Sequence, residues 1–172
     1  FNKDFPLDEQ LPYLRPGDLV TYTFSHLEDN IVADEKIRDA IWEGKKRGVL
    51  FDGCHGMRSF SFPHVEAAIA ENFYPDTIST DQYNRHVDSN PQHDLPRTMS
   101  KFLAAGMPEA EVFARTTARP AELLGLKGEV GTLEVGACAD LAILRWNEEG
   151  ELRDCNDVER PGGCWEPLAT VR

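Results

Sequence analysis

The sequence predicts an α/β protein in which short strands of a parallel sheet alternate with helices, followed by a β-rich segment. Between residues 19 and 80, short apolar runs follow turn signals, and stretches with apolar residues at helical spacing separate them. This alternation ends near Pro120, where glycines begin to punctuate the chain. Because strands joined through helices favour right-handed parallel connections, we expect a parallel sheet. Three clear strands are too few to close an eight-stranded barrel, so the sheet is either open or part of something larger.

The first strand is expected over residues 19–24, since this run is rich in β-branched and aromatic residues and follows the turn sequence at residues 14–18. A helix is expected next, with Asp34-Glu35 at its acidic start and Gly48 as its C-cap. The apolar face of this helix would contain Ile37, Ala40 and Ile41.

A second strand begins at residues 49–51, and a helix starts near Pro63, a residue favoured in the first helical turn. The third strand is expected over residues 77–80. Asp94 then looks like the N-cap of a helix that runs to Gly106.

A further helix is expected from Pro108 to about Thr117. From about Glu129 the pattern predicts β-rich structure to the C-terminus, with a strand over residues 139–146.

Composition indicates a globular, soluble protein, since 41% of the 172 residues are hydrophobic. A formal charge of -12 repels phosphate backbones and anionic lipid heads, so neither nucleic acid nor a membrane is expected as a partner. Residues 1–6 lack a signal-peptide core and no membrane-spanning run is present, which predicts a cytoplasmic protein. The four cysteines have no CxxC spacing and are interpreted as reduced thiols.

Two predicted strands end on side chains that can bind metal. The run 48–56 carries His55, and the run 76–81 ends on Asp81. Chemistry in βα proteins collects at the carboxyl ends of strands, so these two residues are the leading candidates for an active site. Without further information, a strand-capping histidine and a turn aspartate would be the alternative interpretations.

Four segments of the chain, in order, resemble the amidohydrolase superfamily, specifically its dihydroorotase-like amidohydrolase/deacetylase branch. They are Phe51-Asp52-Gly53-Cys54-His55-Gly56 with Ser59-Phe60-Ser61-Phe62, Asp76-Thr77-Ile78-Ser79-Thr80-Asp81, Asp94-Leu95-Pro96-Arg97-Thr98-Met99-Ser100-Lys101, and Thr117-Ala118-Arg119-Pro120-Ala121 followed by Gly131-Thr132-Leu133, Gly136 and Ala139-Asp140-Leu141.

The resemblance implies the C-terminal part of a TIM (β/α)8 barrel plus strands of a small β-sandwich domain. Residues 1–128 would supply the last βα units of the barrel, and residues 129–172 a β-rich segment of the small composite domain. The family's His-x-His pair and carboxylated lysine have no counterpart here, so the chain resembles the C-terminal half alone.

The resemblance also implies a hydrolase that uses a divalent metal, with zinc expected and manganese or iron as alternatives. His55 falls on a metal-ligand position, and Asp81 on the aspartate that binds metal and transfers the proton. Tyr22 departs from the pattern, because the family usually places a histidine ligand there, and a phenol with a pKa near 10 binds zinc weakly.

Several further residues are candidates for substrate binding. Tyr22 is expected to be structural or to face the substrate, and His26 to shape the pocket. Arg58 could meet a substrate carboxylate, and Ser100 begins the helix after the aspartate's loop. Lys101 either borders the pocket or is solvated.

One expectation concerns the space between the candidate ligands. The interval of 26 residues from His55 to Asp81 leaves room for one helix, so the intervening strand would be very short, near residues 59–62, or distorted. Three remaining histidines carry no spacing that recommends them and are expected at the surface: His64, His86 and His93.

The function indicated is hydrolysis of C–N bonds (amides or cyclic amides) or acyl bonds of small molecules by a water that a metal activates. Two candidate ligands are fewer than the roughly three protein donors such a site needs, so this chain alone is expected to be inactive. The alternative is a non-catalytic remnant or partner subunit that keeps the scaffold. With either function, a partial barrel would expose open sheet edges. We therefore expect oligomers or pairing with an N-terminal half.

Overall fold

The computed structural model describes residues 4–27, 29–56, 58–90 and 92–172. Residues 1–3, part of the N-terminal segment discussed above, lie outside the described residues. The strands are β1 (Leu19–Val20), β2 (Val32–Ala33), β3 (Lys36–Ile37), β4 (Leu50–Phe51), β5 (Leu141–Asn147), β6 (Leu152–Arg153), β7 (Glu159–Arg160) and β8 (Cys164–Val171). The helices are α1 (Leu7–Gln10), α2 (Asp39–Lys46), α3 (Phe62–Ala70), α4 (Leu95–Ala104), α5 (Glu109–Thr116) and α6 (Ala118–Leu123). The chain is therefore an α/β protein.

The parallel sheet is built from three short segments. β1 pairs with β4 in parallel, with Leu19 opposite Leu50. Residues 52–56 continue β4 and run parallel to residues 77–80: Asp52 bridges Thr77, and the backbone of residues 53, 55 and 56 donates to carbonyls of 77, 79 and 80. The predicted order of three parallel segments is confirmed.

Two local predictions were wrong, and a third was confirmed. The first strand stops at Val20 instead of residue 24, because Tyr22 has a left-handed backbone (φ 57°) that no strand accommodates. Asp34 and Glu35 form the turn of the β2–β3 hairpin, so the helix begins only at Asp39. The expected very short strand near residues 59–62 is confirmed, since Phe60 makes one isolated parallel bridge to Phe24 before α3 starts at Phe62.

The predicted helix ends were more accurate. The Asp94 carboxylate accepts a 2.8 Å hydrogen bond from the Arg97 backbone and so caps α4, as expected. Gly48 follows α2 with φ 93°, which confirms it as the residue that ends this helix. α6 was not predicted, because the alternation of strands and helices was expected to end near Pro120, whereas this proline lies in the first turn of α6, where proline is tolerated.

The core lies between this sheet and helices α2, α3 and α4, and aromatic rings dominate it. Phe51 packs edge-on against Phe73 at 5.4 Å between ring centroids. Phe102 of α4 contacts Phe60 at 5.1 Å and Phe24 at 5.6 Å in the same manner. These contacts fix α4 behind the sheet, and α4 carries side chains of the candidate site.

The C-terminal part is β-rich from Leu141 onward, although residues 129–140 contain no strand. β5 and β8 form an antiparallel pair with an irregularity between Ile143 and Leu144, and β6 pairs with β7. β5 has no buried residue, and exposed apolar side chains in this pair include Ile143, Leu168 and Val171. Among the helices that the structure describes, none has the length and apolar character needed to cross a membrane.

Candidate active site

Three segment ends meet at one edge of the parallel sheet. The His55 amide donates to the Ser79 carbonyl at 3.0 Å, and the Gly56 amide donates to Thr80 at 3.1 Å. His55 and Asp81 therefore end neighbouring parallel segments at the same edge. Tyr22, which follows β1, reaches this edge as well, since its hydroxyl donates a 2.7 Å hydrogen bond to Oδ2 of Asp81.

The backbone at this edge is unusual. Tyr22 and Asp81 both have positive φ angles, 57° and 51°, which are uncommon for residues with a Cβ. Gly56 lies between them, and a Cβ built on it would be 3.0 Å from the Tyr22 ring and 3.5 Å from the Asp81 carboxylate. Glycine at position 56 therefore allows the phenol and the carboxylate to approach each other.

The Tyr22–Asp81 contact determines the state of the phenol. The hydrogen bond to Asp81, with burial as a smaller cause, raises the pKa of Tyr22 to about 12. The phenol is neutral at physiological pH and acts as a hydrogen-bond donor. A neutral phenol is a poor metal ligand, so Tyr22 contributes here by holding the carboxylate.

His55 is buried, with 5% of its surface exposed. Its ring stacks on Phe60 at 5.1 Å between centroids, and its Nδ1–H donates to the Gly56 carbonyl at 2.5 Å. This bond sets the tautomer and leaves the lone pair on Nε2. Burial, reinforced by the neighbouring Lys101, keeps the pKa of His55 well below its usual value, so the imidazole is neutral.

Lys101 supplies the partner of that lone pair. Its Nζ lies 2.8 Å from Nε2 of His55, and the residue is only 7% exposed. Of the two alternatives that the sequence left open, Lys101 is therefore buried at the site and not solvated. Burial, with the nearby Arg97 as the next cause, lowers the pKa of Lys101 to about 8.

Two histidines expected at the surface lie at the site, and that expectation was wrong for both. The His93 ring is 4.8 Å from the His55 ring, and its Nε2–H donates to the Thr80 carbonyl at 2.8 Å. His86 is buried and packs on His93 at 4.3 Å. Their sequence spacing gave no signal, because the segment between Asp81 and α4 folds back over the strand ends. The third, His64, is half-buried and bonds to Ser61.

The remaining substrate-binding candidates separate into two groups. His26 donates from Nδ1 to the Arg58 carbonyl at 3.1 Å, which places these two loops together, and the Arg58 residue is exposed. Cys155, which the sequence did not single out, lies 3.2 Å from the same His26 nitrogen. Ser100 is fully buried: its hydroxyl donates to the Pro96 carbonyl and accepts from the Trp165 amide, so it joins α4 to β8.

Below the strand ends, the buried Asp52 carboxylate ties the parallel segments together. It accepts hydrogen bonds from the hydroxyls of Thr21 at 3.1 Å, Thr77 at 2.6 Å and Ser79 at 2.7 Å. One carboxylate on the central segment thus connects both neighbouring segments. This network supports the positions of Tyr22 and Asp81 just above it.

The donor chemistry of this edge suits a divalent metal. A neutral imidazole whose other nitrogen is bonded to a carbonyl, and an adjacent carboxylate, are the ligand types that zinc, manganese and iron accept. Within residues 4–172 as described, however, no three His, Cys, Asp or Glu side chains come together closely enough to hold an ion. His55 and Asp81 therefore fit as part of a ligand set that needs further donors.

An α/β chain with an imidazole and a carboxylate at neighbouring strand ends has the features of a candidate active site, and comparison with known families identifies the family. The model of the amidohydrolase family matches residues 34–160. The chain belongs to this family, as the sequence motifs predicted.

The chain is similar to several characterised proteins. It is 39% identical to a deacetylase from Enterococcus faecalis over 157 residues, covering 90% of this chain and 42% of that protein. It is 37% identical to a deacetylase from Agrobacterium fabrum over 167 residues, covering 95% of this chain and 40% of that protein. The chain thus spans about two fifths of the length of these relatives.

Solved structures show the same relationship. A crystal structure of an adenine deaminase superimposes with a TM-score of 0.86 and 36% identity, over 96% of this chain and 46% of the other. A dihydroorotase structure superimposes with a TM-score of 0.79 and 34% identity, over 96% and 44% of the two chains. Both neighbours are TIM-barrel amidohydrolases, and this chain corresponds to part of each.

Proposed function

We propose that this chain is part of a metal-dependent amidohydrolase/deacetylase that hydrolyses amide, cyclic amide or acyl bonds of small molecules. The observation that carries the proposal is the parallel register of residues 52–56 with 77–80, which brings His55 and Asp81 to one edge of the sheet. Family membership and the deacetylase relatives support the reaction class.

In this proposal His55 would hold the metal through Nε2, since its Nδ1–H is committed to Gly56. Asp81 would supply a carboxylate oxygen as a second ligand. A bound zinc, manganese or iron ion would lower the pKa of water and polarise the scissile carbonyl. The other donors would come from outside this chain or from a rearrangement of the histidines around His55.

Asp81 also moves the proton in the proposed reaction. It accepts a proton from the attacking water as the C–O bond forms, and donates it to the leaving nitrogen as the C–N bond breaks. Tyr22 orients the carboxylate through its 2.7 Å hydrogen bond. Tyr22, His26 and Arg58 lie on the loops around this edge and are the proposed substrate contacts. Ser100 has both hydrogen bonds used within the scaffold and is proposed only to position α4.

The proposed whole protein is a TIM barrel with a small composite domain, to which residues 1–128 and 129–172 contribute respectively. Two features support an additional partner segment. In the part of the chain that the structure describes, β1 is paired only with β4, so no strand lies on the other side of β1. An open cavity of about 580 Å³ adjoins β1, and its lining includes Leu19, Tyr22 and Leu27. We propose that the remainder of a full-length amidohydrolase packs there.

The test is an activity assay on the chain mixed with the complementary N-terminal part of a deacetylase relative, in the presence of zinc or manganese. We expect release of acetate from N-acetyl or O-acetyl substrates, or ring opening of a cyclic amide. Asp81→Asn should reduce this rate by roughly 10²–10⁴, the contribution of a general acid–base. If Asp81→Asn keeps both its activity and its bound metal, the role proposed for this residue is contradicted.

The alternative is a non-catalytic remnant or partner subunit, and the Tyr22–Asp81 contact favours it. A phenol hydrogen-bonded to the carboxylate stands where the family's pattern usually has an imidazole, so the ligand set loses one donor. This alternative predicts background activity and background metal even with the complementary part present.

A further inference from the structure

Lys101 is a buried lysine whose ammonium contacts the imidazole of His55. It is 7% exposed, its ammonium lies 2.8 Å from Nε2 of His55, and no carboxylate forms an ion pair with it among the described residues. The ammonium also lies over the face of Phe60, 5.9 Å from the ring centroid, and the Asp154 carboxylate attracts it from beyond ion-pair distance. Burying an ammonium without a close carboxylate is unfavourable, so its hydrogen bond to His55 is an important part of what compensates its lost hydration.

The geometry around His55 leaves a single place for a metal. Nδ1–H donates to the Gly56 carbonyl, so the lone pair lies on Nε2. That lone pair already accepts a hydrogen bond from the Lys101 ammonium. One lone pair cannot accept a hydrogen bond and bind a metal ion at the same time. An ammonium and a metal ion would also repel each other strongly if both lay beside Nε2 of His55.

We infer that the Lys101 ammonium and a divalent ion compete for the Nε2 lone pair of His55, so that an ion binds there only by displacing Lys101. This inference rests on the proposed function, because it assumes that His55 is a metal ligand. Lys101 is a positioning residue in this account: it holds the imidazole in the tautomer that a metal requires, stacked on Phe60, and leaves when the ion enters.

The inference predicts how metal affinity depends on residue 101. The apparent dissociation constant equals the intrinsic one divided by the fraction of His55 that is free of Lys101. Lys101→Met keeps the length of the side chain and removes the competing ammonium, so zinc should bind about tenfold more tightly, as expected if roughly one tenth of His55 is free. Lys101→Gln keeps a neutral donor and should give an intermediate value.

The experiment measures zinc affinity by competition with a chromophoric chelator, using the chain together with the complementary N-terminal part of a deacetylase relative. Lys45→Met is the matched control. Lys45 is also partly buried over an aromatic ring, 4.7 Å from the Phe73 centroid, but it bonds to Tyr74 and Asp76 at the opposite end of the third parallel segment. Its substitution should leave zinc affinity unchanged.

A second readout does not depend on metal or on activity. The ¹⁵N resonance of His55 Nε2 in the metal-free protein should shift in Lys101→Met toward the value of an imidazole nitrogen without a hydrogen bond, and remain unchanged in Lys45→Met. This measurement shows whether Lys101 engages His55, even if the affinity of one variant is affected by misfolding.

The outcomes separate the inference from the proposed function. Equal, measurable zinc affinities in the wild type and Lys101→Met, or no shift of the His55 resonance, would overturn the inference and leave His55 as a ligand. Background zinc in both proteins would overturn the two together. Tighter binding in Lys101→Met that is lost in Lys101→Met/His55→Ala supports both.

Discussion

The hydroxyl of Tyr22 donates a 2.7 Å hydrogen bond to the carboxylate of Asp81, although the two residues are 59 positions apart in the chain. Both have left-handed backbones, and glycine at position 56 provides the space between them. Tyr22, where the resemblance predicts a histidine ligand, thus donates to the carboxylate of the candidate site. This contact links the sequence departure at Tyr22 to the chemistry of Asp81.

We predict that residue 22 controls how tightly the site binds metal. Tyr22→His would place an imidazole beside Asp81 and should tighten zinc binding about tenfold, because imidazole is a good zinc ligand and a neutral phenol is not. Tyr22→Phe removes only the hydrogen bond and should change the affinity little. Titration calorimetry of the three proteins checks this, and equal affinities for Tyr22→His and the wild type would contradict it.

Asp52 is predicted to be a major source of stability for the parallel sheet. Asp52→Ala leaves the hydroxyls of Thr21, Thr77 and Ser79 without their buried acceptor and should cost about 3 kcal/mol of unfolding free energy. Ser79→Ala removes one donor and should cost about 1.5 kcal/mol. Urea unfolding measures both. A smaller loss for Asp52→Ala than for Ser79→Ala would show that the carboxylate does not hold the segments together.

Gly53 is predicted to be required for the position of α4. A Cβ on Gly53 would lie 2.7 Å from the Phe102 ring, so Gly53→Ala should destabilise the protein by about 1–3 kcal/mol. Phe102→Leu shortens the opposing side chain and should recover part of this loss in the double variant. A double-mutant cycle from urea unfolding tests the coupling. If the losses of unfolding free energy in the two single variants add up to the loss in the double variant, the two residues do not interact.

Stability of the metal-free chain is predicted to fall as the pH falls below about 6.5. Burial lowers the pKa of His55, His64 and His93 in the folded state, so below the ordinary histidine value the unfolded chain binds more protons. The folded state therefore loses stability toward acid, and His55 alone contributes up to about 1.4 kcal/mol per pH unit in this range.

Urea unfolding at pH 7.5, 6.0 and 5.0 measures this pH dependence. His55→Gln should remove the largest share of the decline, and His64→Gln a smaller one. The carboxylates with lowered pKa, such as Glu43 and Glu122, act only below their usual value of 4.5 and do not contribute above pH 5. A stability independent of pH between 7.5 and 5.0 would contradict the assigned burial of these imidazoles.

Local signals in the sequence predicted the order of the elements well. Caps such as Asp94 and Gly48 act within one helical turn, so they could be identified without knowing the rest of the fold. The left-handed backbone of Tyr22 could not be predicted in this way, because it depends on a contact with a segment that follows 59 residues later. It cut short a strand that the amino-acid composition favoured.

The candidate site was predicted in part. His55 and Asp81 stood out because each follows a strand, and the structure places their segments side by side. For Lys101 the sequence left open whether it borders the pocket or is solvated, and His93 was expected at the surface because its spacing gave no signal. Only the packing of α4 and the loop against the strand ends brings them to His55.

The most direct test of the central claim is the metal content of the chain, purified together with the complementary N-terminal part of a deacetylase relative and measured by elemental analysis. We predict about one or two zinc or manganese ions per chain, as metal-dependent hydrolases require, and loss of this metal in His55→Ala with the fold retained. Metal at background in the wild type, or unchanged in His55→Ala, would contradict the claim that His55 and Asp81 form part of a metal centre.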